Sequence, residues 1–260
     1  MARIYPLFSS SDGNSTFIGS RRGGVLIDAG VSCKRLVTAL EDNGIPVSAI
    51  QGIFVTHEHS DHIKGLKTLT SKYSMNVFAQ PLNAEYLAAA DCISTHSRLY
   101  DITDTVRIGD FEVKAFATPH DTRQSCGYKI HTPDGKTVCV CTDLGEVTQT
   151  VHENLIGADM VLLEANYDKQ MLINGPYPYP LKQRILSDHG HLDNCDSGSE
   201  LKKLVVNGTT RLILGHLSRH NNTPQISERT VSSQMTGLTR NEDYILLTAP
   251  VETHGEVMIV

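Results

Sequence analysis

The chain has 260 residues, 40% of them hydrophobic and 20% charged, with a formal net charge of −6. Those values are ordinary for a globular α/β protein with a sizeable core. They argue against a surface that grips nucleic acid everywhere, although bound cations can reverse the field locally.

The start, MARIYPLFSSSDGNS, lacks the apolar segment and small-residue cleavage site of a secretory signal. No run reaches the roughly 18 apolar residues of a membrane span. Apolar runs of strand character then read at 23–30 (GGVLIDAG), 50–57 (IQGIFVTH), 75–81 (MNVFAQP), 111–120 (FEVKAFATPH) and 136–145 (KTVCVCTDLG). Helical patterns fall at 32–44, stopped by Gly44, and at 82–90. Another buried strand reads at 158–166 (ADMVLLEAN), followed by a polar stretch holding three prolines (GPYPYPLKQ, 175–183). A helix at 196–206, a strand at 210–216 (TRLILGH) and a last strand near 256–260 complete the chain. Neither a clear repeat nor a composition break divides it, which predicts one domain over 1–260.

Six cysteines occur at 33, 92, 126, 139, 141 and 195, without CxxC spacing. Cys139 and Cys141 lie two apart on a strand pattern, so they face the same way. They read as small core residues of a reducing cytoplasm, not as a disulfide or zinc framework.

Polar residues concentrate where apolar strands end. FVTHEHSDHIKG (54–65) places His57, His59, Asp61 and His62 within six positions after such a run. By composition alone that pattern would arise in roughly two of a thousand such chains. Neutral imidazole and carboxylate suit zinc, manganese or iron. His57 and His59 share a direction in extended backbone, whereas Asp61 and His62 come a tight turn later and aim elsewhere. His120, Asp143 and His216 each follow another strand pattern. Together the seven suffice for two divalent ions joined by a bridging carboxylate.

H-x-H-x-D-H followed by His, Asp and His at strand ends resembles the metallo-β-lactamase fold superfamily over essentially the whole chain. The resemblance implies an αββα sandwich of two mixed β-sheets flanked by helices. It implies His57, His59 and His120 on one ion, Asp61, His62 and His216 on the other, and Asp143 between them. Asp28 in VLIDAG matches a motif whose aspartate is structural. Stretches 9–16, 26–36, 175–194 and 215–222 are similar to the YycJ/VicX group of bacterial members. That implies a 5′-to-3′ exonuclease acting on double-stranded DNA; a small-molecule ester, thioester or cyclic phosphodiester hydrolase is the alternative. Two departures from the group's motifs, Asp12 in the N-terminal loop and Asp193 in GHLDN, set extra carboxylates near a phosphate path.

Further residues carry expectations. Asp61 and His191 are candidate catalytic groups, with His191 as general acid towards the departing 3′-oxygen. Ser11, Asn14 and Ser15 are expected to bind phosphate oxygens, and Tyr167, Lys182 and Arg184 to stack on bases or neutralise phosphates. Arg21–Arg22 is too short for a basic patch. The interval from Asp143 to His216 is too short for an inserted clamp domain, so substrate contacts come from local loops or a second subunit.

Overall fold

The computed structural model describes residues 3–20, 23–253 and 258–259. Arg21, Arg22 and the flanks of the expected last strand lie outside them.

The first part of the chain builds β1 (Arg3–Ser10), β2 (Gly13–Ser20), β3 (Gly23–Ile27), α1 (Cys33–Asp42), β4 (Ile50–Val55), α2 (Ser60–Ile63), α3 (Leu66–Lys72), β5 (Asn76–Ala79), α4 (Pro81–Ala89) and β6 (Arg98–Asp101). A second series follows: β7 (Thr105–Ile108), β8 (Phe111–Ala117), β9 (Cys126–His131), β10 (Thr137–Cys141), α5 (Gln149–Leu155), β11 (Met160–Glu164), α6 (Lys169–Asn174), α7 (Tyr179–Ile185), α8 (Asn194–Val206), β12 (Arg211–Gly215), α9 (Pro224–Gln234) and β13 (Ile245–Thr248). β14 (Met258–Ile259) returns to pair with β1.

Among the described residues two seven-stranded sheets result, ordered β14-β1-β2-β3-β4-β5-β6 and β13-β12-β11-β10-β9-β8-β7. Both are mixed. β1, β2 and β3 pair antiparallel and β3 to β6 parallel. β8, β9 and β10 repeat the antiparallel part, and β10 to β13 the parallel part. The plan is therefore used twice, a repeat that the sequence pattern alone does not display.

Strand alternation builds the layers. Phe54 of β4 and Val138 and Val140 of β10 point between the sheets, with Ile18, Val25, Tyr128 and Leu162. Their neighbours Ile53 and Val55 point outward under α1 and α3, against Leu36, Leu40 and Leu66. Cys139 and Cys141 point outward under α5 and α8, against Leu155, Leu201 and Leu204. Strands buried on both faces read as continuous apolar runs, which is why 136–145 and 158–166 stand out in the sequence. The architecture is helix layer, two sheets, helix layer: the expected αββα sandwich.

Local signals set the helix ends. Ser32 Oγ accepts from Arg35 N at 3.4 Å and Gly44, at φ 65°, closes the turn after α1. The proline-rich stretch is more ordered than its composition predicts. Pro180 sits in the first turn of α7, where its missing N–H costs nothing. No helix among the described residues is long and apolar enough to cross a membrane.

Candidate metal centre

The two sheets deliver their strand ends to one place. Asp28 follows β3, His57 follows β4, Asp143 follows β10, Glu164 ends β11 and His216 follows β12. Three of these hold left-handed backbone: Asp28 at φ 60°, Asp143 at 59° and His216 at 54°. Such conformations cost of order 1–3 kcal/mol each and persist only where the surroundings enforce them. Here the surroundings do. Asp28 N donates to Phe54 O at 2.9 Å, and Ser15 Oγ to Asp28 O at 2.8 Å. His216 N donates to Ser9 Oγ at 2.8 Å, and Asn166 Nδ2 to His216 O at 2.8 Å. Asp28 and Asp143 occupy matching places in the two halves, each after the third strand of the antiparallel part.

The histidine-rich loop completes the set. His59 caps the one-turn α2, which carries Asp61 and His62. Ala29 N donates to His62 O at 2.8 Å, and Gly30 lies so close to Asp61 that a Cβ there would fall 1.7 Å from its carbonyl oxygen. Glycine at 30 is what lets this turn close onto β3.

Four groupings bring possible ligand atoms together: His57, His59 and His120; Asp61, His62 and His216; Asp143 with His57 and His62; and Asp143 with Glu164, His191 and His216. Asp143 Oδ2 lies 3.2 Å from His62 Nε2, and its Oδ1 3.5 Å from His216 Nε2 and 3.7 Å from His120 Nε2. It stands between the first two groups. All seven expected ligands converge.

Outer partners orient the imidazoles. His62 Nδ1 contacts Asp28 Oδ2 at 2.8 Å, His57 Nδ1 contacts Thr56 Oγ1 at 3.0 Å and His120 Nδ1 contacts Gly190 O at 2.9 Å. Glu164 Oε1 meets two rings, His216 Nδ1 at 2.7 Å and His191 Nδ1 at 2.8 Å. With Nδ1 occupied in all five rings, Nε2 is the atom left for the centre. The pocket therefore fits cations. His57 Nε2, His216 Nε2 and Asp143 Oδ2 are buried without a hydrogen-bond partner, and unpaired buried polar atoms are costly.

Electrostatics point the same way. Burial raises the Asp143 carboxyl, but His216 and His62 overcome this and hold it well below the usual range. Burial disfavours charge on His216; Asp143, Asp61 and Glu164 outweigh it and push its pKa up to about 10. A proton thus holds the place of a cation when none is bound. Its stabilising contribution is complete below the ordinary histidine value of about 6.5 and is lost as pH rises towards 10. Metal must displace it, so apparent metal affinity is expected to rise from pH 7 to 9, by up to about tenfold per unit for one proton. Chelator competition at both pH values measures this; an affinity independent of pH contradicts it.

A cavity of about 160 Å³ opens beside the cluster, lined by Ser11, Asp121, Asn166, Tyr177, Arg184, His191 and Ser218 among others. Ser11, Arg184 and His191 thus lie together at the candidate site. The other expected substrate contacts do not line this cavity. Ser15 is 1% exposed and spends its hydroxyl on Asp28 O. Asn14 is buried, its Nδ2 donating to Ser10 O at 3.0 Å and Asp61 Oδ2 at 3.3 Å, so it props the loop. Tyr167 is 5% exposed and packs on Leu172 and Ile185, leaving no face for a base. Lys182 Nζ donates to Ile173 O at 2.7 Å, tying α7 to the end of α6. In this structure those four side chains make contacts within the protein.

Both extra carboxylates also find local purposes. Asp193 caps α8, its Oδ1 accepting from Cys195 N at 2.7 Å and Asp196 N at 2.8 Å. Asp12 pairs with Arg219. Glu164 went unread as a site residue, although a carboxylate ending the buried run VLLE is the same signal that marks Asp28 in VLID.

Comparison with known proteins agrees with this architecture. A family model described as "Beta-lactamase superfamily domain" matches residues 24–217. Exodeoxyribonuclease WalJ of Streptococcus pneumoniae serotype 2 is 34% identical over 235 residues, 88% of this chain and 86% of that protein. Exodeoxyribonuclease YycJ of Bacillus anthracis is 34% identical over 228 residues, 87% of this chain and 86% of that protein. The crystal structure of the metallo-beta-lactamase fold protein YhfI from Bacillus subtilis superposes with a TM-score of 0.74 at 15% identity, covering 98% of each chain. The fold, the family model and relatives similar over most of their length agree: this chain belongs to the beta-lactamase superfamily.

Proposed function

We propose that this chain is a metal-dependent phosphodiesterase that degrades double-stranded DNA from its ends, in the 5′-to-3′ direction. The observation that carries the reading is His191, held by Glu164 at the edge of the seven-residue cluster and lining the cavity where a scissile bond would lie. A small-molecule esterase would use the same ligand types. The nuclease is favoured because relatives similar over most of this chain bear exodeoxyribonuclease names.

His57, His59 and His120 would hold one divalent ion, Asp61, His62 and His216 the other, with Asp143 between. Zinc or manganese suits this donor set, and iron is a further option. When bound, such ions supply neutralisation of phosphate charge and a lowered pKa for water. The protein supplies the proton handling. His191 gives its Nδ1 hydrogen to Glu164, which leaves Nε2 facing the cavity to protonate the departing 3′-oxygen. Asp61, with 23% of its side chain exposed and Oδ2 3.7 Å from His216 Nε2, would accept a proton from attacking water. Six free cysteines, four of them buried, support a cytoplasmic location.

Purified protein loaded with zinc or manganese should release nucleotides from the 5′ ends of end-labelled duplex DNA faster than from single-stranded DNA or RNA. His59→Ala and Asp61→Ala should abolish this while circular dichroism stays unchanged. Undiminished cleavage by both variants, or preferential cleavage of RNA, would count decisively against the proposal.

A further inference from the structure

Arg184 lines the cavity together with His191, yet it is not free. Its Nε donates to Asp121 Oδ2 and its Nη2 to Asp121 Oδ1 at 3.1 Å, the two-pronged grip that arginine also offers to phosphate. Asp121 holds a second contact, Oδ1 lying 3.5 Å from His120 Nε2. Half of the Arg184 side chain and a third of Asp121 remain exposed, so the pair can be broken without unpacking the core. Such exposed pairs contribute little to stability. Besides His191, the remaining polar lining is Ser11, Tyr177, Ser218 and Asn166, whose Nδ2 already donates to His216 O. The volume of about 160 Å³ suits a phosphate group more readily than a whole nucleotide.

Resting on the nuclease reading above, we propose that this cavity is a phosphate subsite in which Arg184 passes from Asp121 to a backbone phosphate of the substrate. Asp121 is then a specificity-determining positioning residue. It shields the arginine from weakly held anions and yields only to a phosphate anchored elsewhere along the strand. No bond is made or broken in the exchange. One guanidinium partner replaces another, and the freed carboxylate turns to water.

The sign of one substitution separates this from a structural role. In the metal-loaded protein, Asp121→Asn should lower KM, and the Kd for a phosphorothioate single strand, about two- to fivefold with kcat held. Arg184→Gln should weaken binding about tenfold. In the Arg184→Gln background, Asp121→Asn should have almost no effect; with Arg184 present, Asp121→Glu, which keeps a carboxylate for the arginine, should keep the parent KM. Metal content, measured by elemental analysis, should be the same in every variant. Full persistence of the Asp121→Asn gain without Arg184 would show a general field effect and overturn the exchange. Weaker binding in Asp121→Asn, or altered metal content, would overturn it as well. Duplex cleavage by the parent protein tests the nuclease reading independently, so the two failures are distinguishable.

Discussion

Asp143→Ala is expected to lower DNA cleavage by at least about a thousandfold and to leave the purified protein with less bound metal than the parent. Asp143 is 2% exposed, and it is the carboxylate lying within 4 Å of His62, His120 and His216 together. Cations steady transition-state charge by several kcal/mol, and each 1.36 kcal/mol is a factor of ten in rate. Alanine removes the ligand shared by both proposed sites and leaves the surrounding imidazoles to repel one another. Asp143→Asn keeps the shape but not the charge, and should recover little. Two measurements check this: initial rates on labelled duplex, and metal per chain by elemental analysis. Parent-level activity in Asp143→Ala would remove the bridging assignment.

Glu164→Gln should cost kcat about a hundredfold or more on DNA, although Glu164 is not among the seven proposed ligands. Its Oε1 accepts from both His191 and His216, while Oε2 accepts from Leu144 N at 3.0 Å and Leu192 N at 3.3 Å. One buried carboxylate thus sets the orientation of a proposed ligand and of the proposed acid. Outer partners of this kind are worth about 10–100-fold each when removed. Burial raises the Glu164 carboxyl, but His191 and His216 overcome this and hold it ionised. A glutamine cannot accept at full strength from two rings while offering its own N–H groups to the same donors. The loss should depend on the leaving group. A nitrophenyl phosphodiester, whose leaving group needs no proton, should suffer far less than DNA, and His191→Ala should show the same split. Equal losses on both substrates would place the whole effect at His216 and deny His191 its acid role.

Much of this centre is legible in one dimension because its ligands follow strands. An apolar run ends, the backbone turns outward, and the next polar side chain stands at the sheet edge. His57, His120, Asp143 and His216 could be read that way, and they converge. Ser11, Arg184 and His191 also reach the cavity. Asn14, Ser15 and Tyr167 are buried, and whether a hydroxyl, amide or ring faces solvent depends on what packs over it. Ser15 meets Asp28, and Tyr167 meets Leu172 and Ile185, contacts that no local pattern announces. Asp12 and Asp193 looked like hazards for the same reason. Their partners, Arg219 and the first turn of α8, neutralise or use them.

Residue type and spacing, then, determined the donor set and the strand ends that carry it, since burial periodicity is written locally, while the layered sandwich was implied by the family resemblance. Tertiary structure decided the second tier of contacts: Asp28 on His62, Glu164 on both His191 and His216, and Asp121 on Arg184. Those partners lie 34, 27, 52 and 63 positions apart along the chain. They meet only because two copies of the same sheet plan stack face to face and bring their strand ends to one rim.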